Sequence, residues 1–477
     1  MDRAREACGV VGVYAPGEDV ARVAFFGLFS LQHRGQESAG IATADGRHLR
    51  VHTHMGLVGQ AFREEELQRL SGHIAIGHTR YSTMGSSRIE NAQPLLVSGP
   101  NGELALAHNG NVINVLQLRS ELASWGCSFT SSTDSEVIAY LLAHAPGKDW
   151  GERVGYMMRR LQGAYALVVL TPDSLMAIKD PLGVRPLCLG KLNGGWIVAS
   201  ESCAIDHVGA EYIREIRPGE AVLIDARGPR VIYQAPEAYR KLCVFELIYF
   251  ARPDSVLDDS LIYNVRLKMG AQLAREHPVK ADVVIGIPDS ATAAAVGYAR
   301  ESGIPYADGL MKNRYVGRTF IQPDQRIRDL GVQLKFNPLP AILSGKRVVV
   351  VDDSIVRGTT TPHVVSLLRR GGAQEVHMRI CAPPIQWPCH FGVDMATRRE
   401  LIAANKTVPE IREAIGADSL GYLSVEGLLK AVGGGKESFC TACFTGNYPI
   451  PVQLEMDKLA LEQEIPSVIG SEDLRLS

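Results

Sequence analysis

Residues 347–362 read RVVVVDDSIVRGTTTP and place two carboxylates directly after four consecutive valines. The valines at 348–351 predict a short strand buried on both faces, with Asp352 and Asp353 at its C-terminal end. Ser354, Arg357, Gly358, Thr359 and Thr360 follow as a strand-to-helix turn, and a helix is expected from near Pro362. Small hydroxyl residues and one glycine leave N–H and hydroxyl groups to point at an anion, and the helix N-terminus adds its positive end. Such a turn can hold a phosphate while the acid pair accepts hydrogen bonds from sugar hydroxyls. The spacings of a P-loop and of a dinucleotide fingerprint are both absent from it. The bland alternative is a strand–loop–helix with a solvated acidic tip.

A second chemical candidate stands at the other end of the chain. Cys8 follows the small residue Ala7 and precedes a strand-like run, GVVGV. Removal of residues 1–7 would give Cys8 both a thiol and a free α-amine. An α-amine has a pKa near ~7.7–8.0, so it can serve as base for its own side chain. Four further segments fit the same idea of a nucleophile at the N-terminus: LQHRGQESAG at 31–40, GHTRYST at 77–83, AHNG at 107–110 and STDSE at 132–136. Singly, Arg80 reads as a surface ion pair, Asn109-Gly110 as a tight turn and Asp134 as a helix cap.

The elements that must position these groups divide the chain in two. Strand-like alternation dominates up to about residue 235, and strand–helix alternation, the mark of a parallel sheet covered by helices, follows it. A strand is expected at 283–288 and a helix of small residues at 291–300, with Asp289 and Ser290 at the turn between them. The turn at 217–220 is read as preceding the last strand of the first half. A length of 477 residues allows two or three domains. The net charge of −2 gives no reason to expect nucleic acid or an anionic membrane. No apolar run reaches membrane-spanning length, and the charged N-terminus has no apolar signal region. Nine cysteines in a large chain without a signal predict a reducing cytoplasm and thiols kept for packing, catalysis or metal.

The whole stretch at 347–362 resembles the motif that binds 5-phosphoribosyl-1-pyrophosphate in type I phosphoribosyltransferases. The resemblance implies that Asp352, Asp353, Ser354, Arg357, Gly358, Thr359 and Thr360 bind that substrate. It also makes PDSAT, with Asp289 and Ser290, the pyrophosphate loop. Ser290, Asp352 and Asp353 would help hold Mg²⁺. Residues 311–337, opening with MKNRYVGRTF, resemble the loop that closes over the donor, which would bring in Lys312 and Tyr315. Six basic residues there face two acidic ones, so the loop is expected to order around a pyrophosphate.

Residues 8 to about 218 resemble the class II, N-terminal nucleophile, glutamine amidotransferase domain, with the five motifs in the family's order. This implies a four-layer αββα sandwich. Cys8 would attack the glutamine carboxamide, Asn109 and Gly110 would form the oxyanion hole, Arg80 would hold the substrate carboxylate and Asp134 its α-ammonium. DPLGVRP at 180–186 and ASESC at 199–203 also match, with Arg185 read as scaffold.

Cys440 and Cys443 form a C-x-x-C that could be zinc, a redox pair or chance. No second C-x-x-C exists, which argues against a zinc ribbon. With the lone Cys243 and Cys389 the pair could hold a [4Fe–4S] cluster. These four match the ligand positions in the cluster-containing branch of the glutamine phosphoribosylpyrophosphate amidotransferase family, including the following FTGNYP. Cys127, Cys188, Cys203 and Cys381 are expected to be small core residues.

The full resemblance implies a propeptide at 1–7, an amidotransferase domain at 8–235, an α/β phosphoribosyltransferase domain at 236–450 carrying the cluster segments, and a tail at 451–477. It implies 5-phosphoribosylamine, glutamate and pyrophosphate from phosphoribosyl pyrophosphate, glutamine and water, the first committed step of purine synthesis. It further implies a homotetramer and feedback inhibition by purine nucleotides. Two rivals share parts of the pattern. A glucosamine-6-phosphate synthase would need a sugar-isomerase second half, which 347–362 argues against. A non-enzymatic nucleotide-binding regulator would not need Cys8 with Arg80, Asn109 and Asp134.

Overall fold

The computed structural model describes residues 8–81, 84–313, 335–395, 397–452 and 461–462. Strand Gly9–Tyr14 shows how the first half is layered. Its six residues are all buried, and alternate side chains serve different cores. Val11 and Val13 pack with helices Val20–Ser30 and Ser202–His207. Val10 and Tyr14 face a second sheet through Ala105, Ala107, Ala166 and Val168. A strand buried on both faces with period-2 alternation is what a central sandwich layer requires.

The strand lies in a seven-stranded sheet, antiparallel to Ile74–Arg80 on one side and Gly195–Ala199 on the other. The second sheet has six strands, in the order Gly228–Gln234, Glu220–Asp225, Leu175–Lys179, Gly163–Leu170, Gly102–Val112, Leu95–Gly99. Helices Val115–Ser124, Asp134–Ala143 and Trp150–Arg160 cover its outer face. The result is the αββα sandwich. The turn at 217–220 precedes the penultimate strand, because Gly228–Gln234 pairs beyond Glu220–Asp225 and closes the sheet.

The second half is built on a four-stranded parallel sheet, Val283–Gly286, Arg347–Asp352, Glu375–Ile380 and Ser419–Tyr422. The four valines are fully buried, sheathed by helices Ile262–Glu276, Thr292–Ser302 and Thr361–Arg370. Such a sheet, covered on both faces, presents its ligand groups at the C-terminal strand ends. Residues 310–312 and 336–338 pair as a short antiparallel ladder, so the segment expected as a loop from 311 starts and ends in strands. Tyr315 and the arginines at 314, 318, 326 and 328 lie outside the described residues.

Candidate active sites

Cys8 precedes the first strand and is almost fully buried. Its thiol donates to the Tyr81 carbonyl at 3.3 Å and receives the Tyr81 N–H at 3.5 Å. Burial pushes the thiol pKa up, against a smaller opposing pull from the Tyr81 hydrogen bond and the Arg80 charge. Cys8 is therefore a neutral thiol at rest, and nucleophilic attack requires a base.

Asn109 and Gly110 sit in strand Gly102–Val112 of the other sheet. The Asn109 side chain is fully buried, and neither its Oδ1 nor its Nδ2 has a partner among the described residues. Gly110 has φ +150°, and a Cβ there would stand 2.0 Å from the Ala164 carbonyl oxygen, so no other residue fits. His78, two residues before Arg80, bonds the His108 carbonyl at 3.0 Å and so ties the two sheets together beside the pair. Burial pushes the His78 pKa down to about 3, which makes the ring a neutral donor.

Asp134 opens helix Asp134–Ala143, where its carboxylate accepts the Val112 N–H at 3.0 Å. Burial raises its pKa, but the nearby His108 and this hydrogen bond outweigh that and hold it below the ordinary value. Arg80 is also buried, and it donates to the carbonyls of Met84 and Ser86, both at 3.0 Å, and to Glu37. It thus holds the chain at 84–86, within electrostatic reach of the Asp134 carboxylate. Sequence reasoning missed Glu462, whose carboxylate accepts the Ser86 N–H at 2.7 Å and the Ser132 hydroxyl at 3.3 Å. Only the tertiary fold brings a residue so distant in the chain to this loop.

At the second site the acid pair is buried, not a solvated tip. Asp352 ends its strand and accepts the Asp353 N–H at 2.9 Å. Asp353 accepts the hydroxyls of Ser290 at 2.6 Å and Ser354 at 2.7 Å. The structure thus brings the 289–290 turn against the acid pair. Arg266, fully buried and anchored on the Leu247 and Ala251 carbonyls, contributes an opposing charge that no motif announced. Thr360 stands directly before helix Thr361–Arg370, and Gly358 takes φ +72° with Ile402 against it. Arg357 pairs with Glu400 at 2.6 Å, and Lys312 pairs with the exposed Asp289 at 2.6 Å.

The four cysteines come from three segments to one junction. Cys243 and Cys440 are register partners on adjacent parallel strands. Gln386 and Trp387, just before Cys389, donate their N–H groups to the Cys443 carbonyl. Burial, with the other three cysteines close by, pushes the Cys443 thiol pKa up, and the Arg185 guanidinium lies near Cys243 and Cys389. All four are free thiols. Among the described residues no three such side chains are close enough to hold a single metal ion. Four converging thiols beside a buried arginine suit a larger cluster that takes one thiolate on each iron. Of the other cysteines, Cys188, Cys203 and Cys381 are buried and Cys127 is partly exposed.

A buried ion network joins the halves. Arg34 donates to the Cys8 carbonyl at 3.1 Å and pairs with Glu201 and Glu246. Glu246 also pairs with Arg185, which donates twice to the Phe391 carbonyl.

An αββα domain opening on a buried cysteine, followed by a parallel sheet with acids at its strand end, defines the class: a glutamine amidotransferase domain joined to a phosphoribosyltransferase domain. The chain matches the glutamine amidotransferase domain family over residues 78–207 and the phosphoribosyl transferase domain family over residues 255–383. It is 51% identical over 469 residues to the amidophosphoribosyltransferase of Synechococcus elongatus, covering 97% of this chain and 95% of that one. It is 51% identical over 451 residues to that of Archaeoglobus fulgidus, covering 93% and 98%. The solved glutamine phosphoribosylpyrophosphate amidotransferase from B. subtilis, complexed with ADP and GMP, superposes with a TM-score of 0.88 at 46% identity, covering 94% of this chain and 98% of that one. The chain belongs to the amidophosphoribosyltransferase family, and is a glycosyltransferase with a glutamine amidotransferase domain.

Proposed function

We propose that this enzyme makes 5-phosphoribosylamine for purine synthesis, drawing ammonia from glutamine at Cys8 and joining it to phosphoribosyl pyrophosphate at Asp352–Asp353. The carrying observation is the Asn109 carboxamide, buried without a partner among the described residues. An unpaired buried amide costs ~1–3 kcal/mol, a cost that a ligand oxygen accepting from it offsets.

In the first half, removal of residues 1–7 frees the Cys8 α-amine, which takes the thiol proton as sulfur attacks the glutamine carboxamide carbon. The Asn109 side chain and the Gly110 N–H hold the oxyanion, while Arg80 and Asp134 bind the α-carboxylate and α-ammonium. The tetrahedral adduct collapses to a γ-glutamyl thioester and ammonia, with the proton returned to the leaving nitrogen. Water then attacks the thioester, releasing glutamate and restoring the thiol.

In the second half, Asp352 and Asp353 accept hydrogen bonds from the ribose hydroxyls. Ser354, Arg357, Gly358, Thr359 and Thr360 cradle the 5′-phosphate, and Asp289, Ser290, Lys312 and Tyr315 serve the pyrophosphate. Ammonia attacks C1 with inversion and pyrophosphate leaves. Mg²⁺, held through Ser290, Asp352 and Asp353, would supply neutralising charge for the pyrophosphate. A [4Fe–4S] cluster on Cys243, Cys389, Cys440 and Cys443 would brace the C-terminal segment against the second domain.

The ADP and GMP on the B. subtilis relative support purine nucleotides as feedback inhibitors of this chain. We further propose a homotetramer, and the domain division at 7/8, 235/236 and 450/451. We propose a cytoplasmic site of action, a reducing compartment that suits nine free thiols.

The test is Cys8→Ala. The variant should form phosphoribosylamine from ammonium salts at the unsubstituted rate, and none from glutamine. Glutamine hydrolysis surviving in it would refute the nucleophile assignment.

A further inference from the structure

The turn after Cys389 reaches out of the second half and lies on the strand that carries Gly110. A Cβ on Gly392 would stand 2.8 Å from the Gly110 carbonyl carbon, 2.9 Å from its oxygen and 3.0 Å from its Cα. Gly392 has φ +94° and is buried. On Gly110's own Cβ side lies the Ala164 carbonyl. The turn is itself fastened at two consecutive carbonyls. Asn111 Nδ2 donates to the His390 carbonyl at 2.9 Å, and Arg185 donates to the Phe391 carbonyl at 3.0 and 2.7 Å. The rings of His390 and Phe391 pack on Tyr448, at centroid distances of 5.1 and 6.2 Å.

We propose that Gly392 is a positioning residue for the glutaminase reaction: the turn at 390–392 presses on Gly110 and sets where its N–H meets the developing oxyanion. The inference rests on the oxyanion-hole reading of Asn109 and Gly110. Hydrogen-bond stabilisation of a transition state depends on placement, and a displacement of about 1 Å costs ~10²-fold in rate. Backbone packed on backbone leaves no soft side chain to absorb a shift, so a methyl group on Gly392 must move one of the two chains. The glutaminase site would then be complete only while the second domain is docked on it. Asn111 acts through the same contact from the strand side, since its amide ties the residue next to Gly110 to the turn.

The test compares Gly392→Ala, Asn111→Ala and Asn109→Ala in the full-length protein. Three quantities are measured: glutamine hydrolysis, ammonia-dependent synthesis, and inhibition by glutamate γ-semialdehyde. The thiohemiacetal that this aldehyde forms with Cys8 puts an oxygen where the oxyanion develops. For Gly392→Ala, kcat for hydrolysis should fall about 10- to 100-fold, with KM for glutamine within about threefold. Aldehyde affinity should fall with kcat, and ammonia-dependent synthesis should hold. Asn111→Ala should move the same quantities in the same direction by about 3- to 10-fold. If Gly392→Ala does not fold, Asn111→Ala decides alone. Hydrolysis falling in step with ammonia-dependent synthesis, at unchanged aldehyde affinity, would make the contact merely structural and overturn the proposal. Unchanged aldehyde affinity in Gly392→Ala and Asn111→Ala, with Asn109→Ala weakened, would overturn this proposal and leave the oxyanion hole standing. Unchanged aldehyde affinity in Asn109→Ala would remove the oxyanion hole and this proposal together.

Discussion

The guanidinium of Arg34 donates to both carboxylate oxygens of Glu246, at 2.8 and 3.0 Å, with both side chains buried. Arg34 belongs to the first half and Glu246 to the second, and Arg185 shares the same carboxylate at 3.1 Å. Replacing Glu246 with Ala leaves two buried guanidiniums facing each other without their shared counter-charge. Breaking a buried pair in this way costs ~3–5 kcal/mol, a large share of the ~5–15 kcal/mol that holds a domain folded. Glu246→Ala should therefore unfold at clearly lower denaturant concentration, with glutaminase activity lost first because Arg34 also holds the Cys8 carbonyl. A denaturation midpoint equal to that of the unsubstituted protein would contradict this.

The acid pair gives a separable prediction. Asp353 accepts from Ser290 and Ser354, so the Asp352→Asn, Asp353→Asn double variant changes charge more than shape. Product formation from glutamine and from ammonium should both fall by at least about 10²-fold. Basal glutamine hydrolysis, which belongs to the other domain, should continue. Affinity for phosphoribosyl pyrophosphate should weaken as well, and equilibrium binding in the presence of Mg²⁺ measures it.

The four cysteines predict a brown protein after anaerobic purification, with ~4 irons and matching sulfide per chain. Cys443→Ser should lose iron and melt at lower temperature, since the ligands tie three distant segments together. Elemental analysis that finds stoichiometric zinc and no sulfide would rule the cluster out.

His78 sets an acid limit on stability. Its pKa is pushed down by burial to about 3, from 6.5 in the unfolded chain. The folded protein therefore binds fewer protons than the unfolded one between these values. The group's contribution is fully present above 6.5 and is lost as pH falls toward 3. Between pH 8 and pH 5 the loss is about 2 kcal/mol. His78→Gln should flatten the fall in melting temperature over that range, which calorimetry at several pH values would detect.

Two kinds of information separate cleanly in this chain. The paired acids, the hydroxyl-rich turn, the N-terminal Cys-Gly and the C-x-x-C are local patterns, legible because a few neighbouring residues carry all the chemistry they need. Burial of 348–351 and the helix from Thr361 follow equally from hydrophobic runs and from a proline in the first helical turn. The strand after the turn at 217–220 is not the last of its sheet, and the edge strand that follows it, Gly228–Gln234, has mixed exposure and carries little alternation to read.

What belongs to the tertiary structure is every relationship between distant groups. Arg34 with Glu246, Arg266 near Asp353, Glu462 on Ser86 and Gly392 against Gly110 have no sequence spacing that announces them. A buried charge needs a partner, and a glycine needs a reason for lacking a Cβ, but neither need says where in the chain the answer lies. Long-range packing decides that, because desolvation and close contact act on whatever the folded backbone brings within a few ångströms.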